Sequence, residues 1–486
     1  MSRKIKTLII ALVVIVLLGG GYYGSTVWKK KKDASTAASS SAPSPKLGDL
    51  DSSKLVKIEV PDLVLEKQGD AWAVTSLKGV KPPDGIILDQ SQIQSLTYTL
   101  ATVYTDRVID DKPADLSVYG LKDNTVRATV TDVNGNKAVY IRGDMTPARN
   151  SYYVMEEGDP RVYSVSSYAA DNMLLSLDKL RDKNLFPTFD IGAVKELHIV
   201  NGATKIDISP KPNPAPPYLD ASFSTTVMTS PYKLPRGADG DAMDKALTPL
   251  KNLQITDFVD DAPSSLQQYG LDKPGKISIT IMVSDPSSSG ANANSADNSA
   301  ANAKAVAKSL DLLVGNQVDG KNYAKLPNAP GVFTLTGIND LLNIKPFTLV
   351  DKFALLINID KVQRLSISGG PKSLSADFSG KGDDAVYTLN GKKTESKSFK
   401  AWYQSVIGLL SDAEYPGPAR NPQDAGTGNI TIEYQLNTPA GVKASITLVP
   451  YNRDFYALQQ EGSTEFLISR SQVNSIFTTA DTVTYQ

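Results

Sequence analysis

At 486 residues the chain exceeds what a single hydrophobic core organises, so roughly two to four domains are expected. A formal net charge of -1 offers no basic face for nucleic acid, and 41% hydrophobic with 21% charged residues is ordinary globular usage. The absence of cysteine excludes disulfides, thiolate nucleophiles, cysteine-acyl anchors and cysteine-ligated metals, and a single histidine, His198, leaves next to no room for a histidine triad or multi-histidine metal site.

The first element is a membrane anchor. Thr7 to Trp28 is a run of 22 uncharged residues, which at about 1.5 Å per residue reaches roughly 33 Å, enough to cross a hydrocarbon core. Arg3, Lys4 and Lys6 precede it, Lys29 to Lys32 follow it, and Tyr22, Tyr23 and Trp28 place interfacial aromatics toward its far end. No small-x-small cleavage site follows promptly, and four lysines are unlike the polar end of a signal peptide. Residues 1–32 therefore read as an uncleaved single-pass transmembrane helix with basic flanks. Positive residues flank both ends almost equally, so charge counting does not decide orientation. Residues 33–48, with the Ser/Ala/Pro-rich stretch Ala34 to Pro45, read as a flexible linker.

Three divergent copies of one unit follow, at 49–186, 187–350 and 351–486. Each opens on a strand of the same spacing: Leu55-x-x-Ile58-x-Val60, Val194-x-x-Leu197-x-Ile199 and Val362-x-x-Leu365-x-Ile367. A second strand follows at Ala71–Val74 in the first copy and Ala385–Leu389 in the third; in the second it falls around Tyr232, stretched by prolines. Helical spacing comes next, through Ile93, Leu96, Leu100 and Val103 with Asp89 as N-cap, through Met243, Leu247 and Leu250, and through Phe399, Trp402, Val406, Leu409 and Leu410. The closest internal match is Thr105 to Asp111 leading to Tyr119-Gly120-Leu121, against Thr256 to Asp261 leading to Tyr269-Gly270-Leu271.

A hairpin then turns at Asn134-Gly135, between strands at Thr125–Thr131 and Lys137–Ile141. The second copy separates the same two strands by a Ser/Ala/Asn-rich stretch, 284–304, which reads as a disordered insert. Two short strands and a short helix close each copy. The fold class expected is α+β: an N-terminal transmembrane helix followed by three divergent repeats of a mainly antiparallel β-sheet module with helices.

On these residues the chain resembles the bacterial family catalogued as domain of unknown function 4340. The likeness rests on the basic start and apolar anchor from Lys4 to Ile10, ending in Gly20-Gly21-Tyr22-Tyr23, on Trp72, on the two Tyr-Gly-Leu turns, and on Gly143 with Tyr152-Tyr153-Val154. It is clear in the first two copies and faint in the third, which lacks Tyr-Gly-Leu. The resemblance implies an anchored protein facing away from the cytoplasm, similar to members often encoded beside ABC-type export permeases and gliding-related auxiliary proteins. No catalytic residue is known for the family, so none is carried over.

Candidate chemistry is sparse. His198 aligns with Glu59 and Ser366, on the strand face opposite Leu197 and Ile199, and reads as a solvated residue rather than a general base. The pairs Asp110-Asp111 and Asp260-Asp261 suit turn chemistry better than a hard cation, which wants further oxygen ligands in a recognisable loop. Tyr119-Gly120-Leu121 and Tyr269-Gly270-Leu271 read as structural turns before partner-binding ones. Ser176-x-x-Lys179 and Ser230-x-x-Lys233 match serine–lysine spacing without the companion motifs of that class. No residue is assigned a catalytic, cofactor-binding or metal role, and no cofactor is expected. The expected function is a non-catalytic, membrane-tethered extracytoplasmic binding or scaffold protein in the cell membrane, with no nucleic-acid partner. The alternatives are an envelope hydrolase using carboxylates between modules and a cytoplasm-facing regulator.

Overall fold

A computed structural model describes residues 45–123, 125–284, 305–380, 382–419 and 428–486. The expected anchor at 1–32, the linker before Pro45 and the insert beyond Ser284 lie outside the described residues. Among the described residues no helix is long and apolar enough to cross a membrane.

Among the described residues three large sheets follow one another along the chain, with a small two-stranded one, Lys46–Leu47 with Val103–Tyr104, in module 1. Module 1 contains β1 (Lys46–Leu47), β2 (Leu55–Val60), β3 (Leu63–Gln68), β4 (Ala71–Leu77), α1 (Gln90–Ala101), β5 (Val103–Tyr104), β6 (Arg107–Asp110), β7 (Val126–Asp132), β8 (Lys137–Met145), β9 (Ser151–Glu156), β10 (Val162–Ser166) and α2 (Ser167–Ala170). Module 2 contains β11 (Val194–Asn201), β12 (Thr204–Pro210), α3 (Pro217–Asp220), β13 (Thr226–Ser230), β14 (Arg236–Gly237), α4 (Gly240–Ala246), α5 (Thr248–Lys251), β15 (Phe258–Asp260), β16 (Gly275–Ser284), β17 (Ala305–Val318), β18 (Lys321–Lys325), β19 (Val332–Thr336), α6 (Ile338–Leu342) and α7 (Pro346–Leu349). Module 3 contains β20 (Val362–Ser368), β21 (Leu374–Ser379), β22 (Val386–Leu389), β23 (Lys392–Lys393), α8 (Ser396–Ile407), β24 (Ala413–Glu414), β25 (Ile430–Leu436), β26 (Lys443–Pro450), β27 (Phe455–Gln460), β28 (Ser463–Ser469) and α9 (Arg470–Ala480).

The sheet orders are β4-β3-β2-β7-β8-β9-β10-β6, β14-β13-β12-β11-β16-β17-β18-β19-β15 and β23-β22-β21-β20-β25-β26-β27-β28-β24. All three share one plan: an opening meander of three strands in module 1 and four in modules 2 and 3, a jump to a four-strand meander, and an edge strand that arrives after the helix. Neighbouring strands pair antiparallel in each. The module is thus α+β, mostly antiparallel sheet with some helix.

The opening strand explains its own spacing. The step of three residues before the step of two is a β-bulge, with register shifts at Leu55/Lys57, Val194/Glu196 and Val362/Arg364 against the first strand of the long hairpin. The bulge lets Leu55 and Ile58 face the same core, and both are buried. The helix of each module begins at an acid: Asp89 accepts from Ser91 N and Gln92 N, Asp239 from Ala242 N, and Glu395 from Lys397 N and Ser398 N.

Several expectations are corrected. Each module has a second strand, β3, β12 or β21, that the residue spacing does not predict, and the strand expected around Tyr232 ends before that residue, as β13. Val103 belongs to β5, where Leu47 pairs with it, and Leu409 and Leu410 lie beyond the end of α8. The matched strings coincide only from Val108 and Phe258 onward, which face Tyr163 and Phe333; Thr105-Asp106 therefore stands one residue out of step with Thr256-Asp257.

Packing divides the chain into two compact units, one made by module 1 up to Arg181 and the other by Asp182–Gln486 together with Pro83–Gly85. The first has its own core around Leu55, Ile58, Ile93, Leu100 and Tyr140. In the second, modules 2 and 3 share one continuous core that includes Ile199, Ile279, Leu355, Ile357, Trp402 and Ile446.

Candidate functional site

The two tyrosine turns repeat the same hydrogen bond and ring contact. Gly120 and Gly270 take φ of 66° and 67° after short 3-10 turns, backbone that favours glycine. Space adds to the preference at Gly270, where a Cβ would lie 2.9 Å from the Asn316 backbone N, whereas at Gly120 it would meet only the side chain of the exposed Asp144. Tyr119 donates to Asp110 Oδ2 and Tyr269 to Asp260 Oδ2, both at 3.0 Å. The other oxygen of each acid accepts a backbone N–H, from Lys112 and Ala262. The hydroxyl of Tyr119 is raised above its ordinary pKa chiefly by its bond to Asp110, and that of Tyr269 by burial and then by Asp260. Both rings meet a second tyrosine edge-on, Tyr153 and Tyr323, with centroids 5.1 Å apart. In module 2, Tyr269, Leu271 and Val332 form a small core of their own, on the face of β19 opposite Phe333. Asp110 and Asp260 are therefore engaged in the turn. Among the described residues no group of three or more His, Asp or Glu side chains is placed to hold a metal ion.

His198 stands on β11 with its Nδ1 2.9 Å from Asp207 Oδ1, while Lys205 Nζ lies 2.6 Å from the other Asp207 oxygen. Burial raises the Asp207 carboxyl, and the bonds from Lys205 and His198 outweigh it, leaving the pKa below its ordinary value. Lys57 with Glu59 along β2 and with Glu66 on β3 in module 1, and Arg364 with Asp377 across neighbouring strands in module 3, make comparable pairs. His198 thus belongs to rows of partly exposed ion pairs, each of small energetic weight. Ser230 Oγ donates to the Lys205 carbonyl, and the Lys233 backbone N–H donates to Glu465. Ser176 precedes the Leu177–Lys179 turn without a side-chain capping bond.

Two features were not visible in the sequence. The first is a groove of about 780 Å³ in the helical layer of module 2, walled by Ala246, Pro249, Leu253, Ile255, Leu341 and Ile344, with Gln254 and Gly337 also lining it. Asn184 pairs with Gln254 there, through Leu185 N–H on the Leu253 carbonyl and Ile255 N–H on the Lys183 carbonyl. In such a pair the flanking residues make the bonds, so the N–H and C=O of Gln254 point the other way. In module 3, Leu410 holds the equivalent place against Phe353, through Ala354 N–H on Leu409 and Ser411 N–H on Lys352.

The second feature lies between modules 2 and 3. Arg236 of β14 and Glu465 of β28 pair at 2.8 Å with side chains only 8% and 9% exposed. Arg236 also donates to Gln460, Lys233 N–H to Glu465, and Tyr232 to Glu414 Oε1 at 2.7 Å. Burial, reinforced by Glu414, pushes the Tyr232 hydroxyl far above its ordinary pKa. Asp351 shares a cavity of about 40 Å³ with Arg236, Ser224 and Gln460, and burial pushes its carboxyl up.

A family profile described as domain of unknown function (DUF4340) matches residues 72–274 and 227–415. The matches begin in β4 and β13, the third strands of modules 1 and 2, so the same profile is laid down twice, one module apart. No curated protein and no solved structure matches the chain.

Proposed function

The chain belongs to the DUF4340 family, and from that premise we propose that it is a non-catalytic binding or scaffold protein, tethered by residues 7–28 and displaying its modules outside the cytoplasmic membrane. The observation that supports this reading is recurrence: one sheet plan appears three times, with an added edge strand in modules 2 and 3, and the polar pair that recurs in modules 1 and 2, Tyr119 with Asp110 and Tyr269 with Asp260, is engaged in holding a turn. Repeated modules multiply surface, and they are a common way to engage a large assembly. The partner proposed is a membrane complex, such as an export system of the ABC type, as the family resemblance implies.

Two measurements test it. Protease added to intact spheroplasts is expected to digest the region beyond Lys46 while sparing a cytoplasmic marker, with the untreated protein remaining in membranes after a high-salt wash. Full protection would reverse the topology and favour the cytoplasmic regulator. Cross-linking in native membranes is expected to join the chain to an integral membrane protein; recovery of the chain uncross-linked would overturn the scaffold reading.

A further inference from the structure

Module 3 shows which chemical group fits the strand-like edge that module 2 leaves open. Leu410 N–H donates to Gln472 Oε1 at 2.8 Å, and Gln472 Nε2 donates back to the Leu410 carbonyl at 3.1 Å. A side-chain carboxamide thus satisfies both groups of one strand residue, as a neighbouring strand would. Gln472 directly precedes Val473, the first buried residue of α9. In module 2 the residue directly before the first buried helical residue, Ile338, is Gly337, which carries no side chain.

The equivalent edge residue, Gln254, lines the groove, its backbone N–H and C=O face away from Asn184, and among the described residues neither group has a hydrogen-bond partner. The second helix of the layer is also shorter, five residues in α6 against eleven in α9. Pro249, Leu253, Leu341 and Ile344 give the groove an apolar wall, and Lys245 and Asp340 stand among its polar lining.

We infer that the module 2 groove is a docking site for a partner segment presenting a primary carboxamide, a glutamine or asparagine followed by an aliphatic side chain. The carboxamide accepts from Gln254 N–H and donates to its carbonyl, and the aliphatic group covers Leu341 and Ile344. A carboxylate in the same position accepts but does not donate, which gives the site its selectivity. This deepens the binding reading by naming the chemistry of the partner, and it rests on no assumption about the membrane.

The probe is a synthetic peptide with the chain's own sequence from Ser469 to Ala480, labelled for fluorescence anisotropy and titrated against the full-length protein in detergent. Saturable binding is expected, weakened roughly tenfold in the Gln472→Glu peptide, which loses one of the two amide bonds. Gly337→Asn tolerates the left-handed backbone and places a carboxamide in the groove, and Ile344→Lys adds charge to its wall. Each is expected to reduce peptide binding in protein that retains its native circular dichroism. Equal binding of the two peptides, binding unaffected by both protein variants, or no binding at millimolar peptide would overturn the assignment. Self-association of the wild type that Gly337→Asn removes would instead identify a second copy as occupant, and would equally overturn it. None of these outcomes bears on the protease or cross-linking results, so failure here is separable from failure of the scaffold reading.

Discussion

Gln90 uses its amide as Gln472 does, on a different edge: Trp72 N–H donates to Gln90 Oε1 at 2.8 Å, and Gln90 Nε2 donates to the Trp72 carbonyl at 3.1 Å. Together with the mutual bonds of Leu77 and Val80, this closes much of the outer side of β4, a seven-residue edge that would otherwise invite another strand. Gln90→Glu keeps the acceptor and loses the donor. It is expected to cost about 0.5–1.5 kcal/mol in urea unfolding and to increase light scattering on concentration; unchanged scattering would show that the edge is protected by other means. Asp351 makes the second argument at this scale. Burial, and then the charge of Asp239, raise its pKa, while the Phe353 N–H and Ser224 lower it. A carboxyl raised in the folded state contributes stability that is full at low pH, where it is protonated in both states, and is lost as pH rises through the folded value. Asp351→Asn stays neutral throughout, so it is expected to stabilise the second unit at pH 7 and to do so less at pH 4. A thermal melt showing the opposite order would mean that the carboxylate is compensated in the fold.

At the scale of elements, the tyrosine turn is the best place to test whether repetition reflects structure. Gly143 is not in a left-handed conformation, yet a Cβ there would lie 2.2 Å from the Tyr119 carbonyl, and one on Gly315 2.1 Å from that of Tyr269. Gly143→Ala and Gly315→Ala are each expected to destabilise by about 1–3 kcal/mol through overpacking. Tyr119→Phe and Tyr269→Phe, which lose one hydrogen bond each, are expected to cost about 1 kcal/mol. Denaturant midpoints of the four variants decide it, and a Gly→Ala change milder than the matching Tyr→Phe would contradict the close approach. The turns were legible in the sequence because glycine, tyrosine and aspartate keep fixed distances along the chain. The opening strands were legible for the same reason, although the bulge within them emerges only from pairing. β3 escaped because Leu63-Val-Leu gives way to Glu-Lys-Gln before an alternation is established, and β24 because two residues carry no period. The groove was illegible because Gln254 and Gly337 stand far apart in sequence and are related only through a comparison with Leu410 and Gln472 that needs the fold.

At the scale of the whole molecule, three repeats do not make three independent bodies, because packing joins modules 2 and 3 into a single unit. Their shared core is apolar, but across it runs the buried pair of Arg236 and Glu465, with the guanidinium 5.1 Å from the centroid of the Phe466 ring. A buried ion pair adds little net stability, because two charges leave water to make it, yet removing one partner leaves the other charged and unpaired. Glu465→Gln is accordingly expected to destabilise the second unit by about 3–5 kcal/mol, whereas Arg236→Met combined with Glu465→Leu is expected to cost far less than either change alone. Hydrogen exchange on the intact chain reads the same coupling directly: β13 and β28 are expected to lose protection together as denaturant rises, and earlier in Glu465→Gln. If β25–β28 opened well before β11–β19 in the wild type, the pair would be a local contact and modules 2 and 3 would be separate folding units.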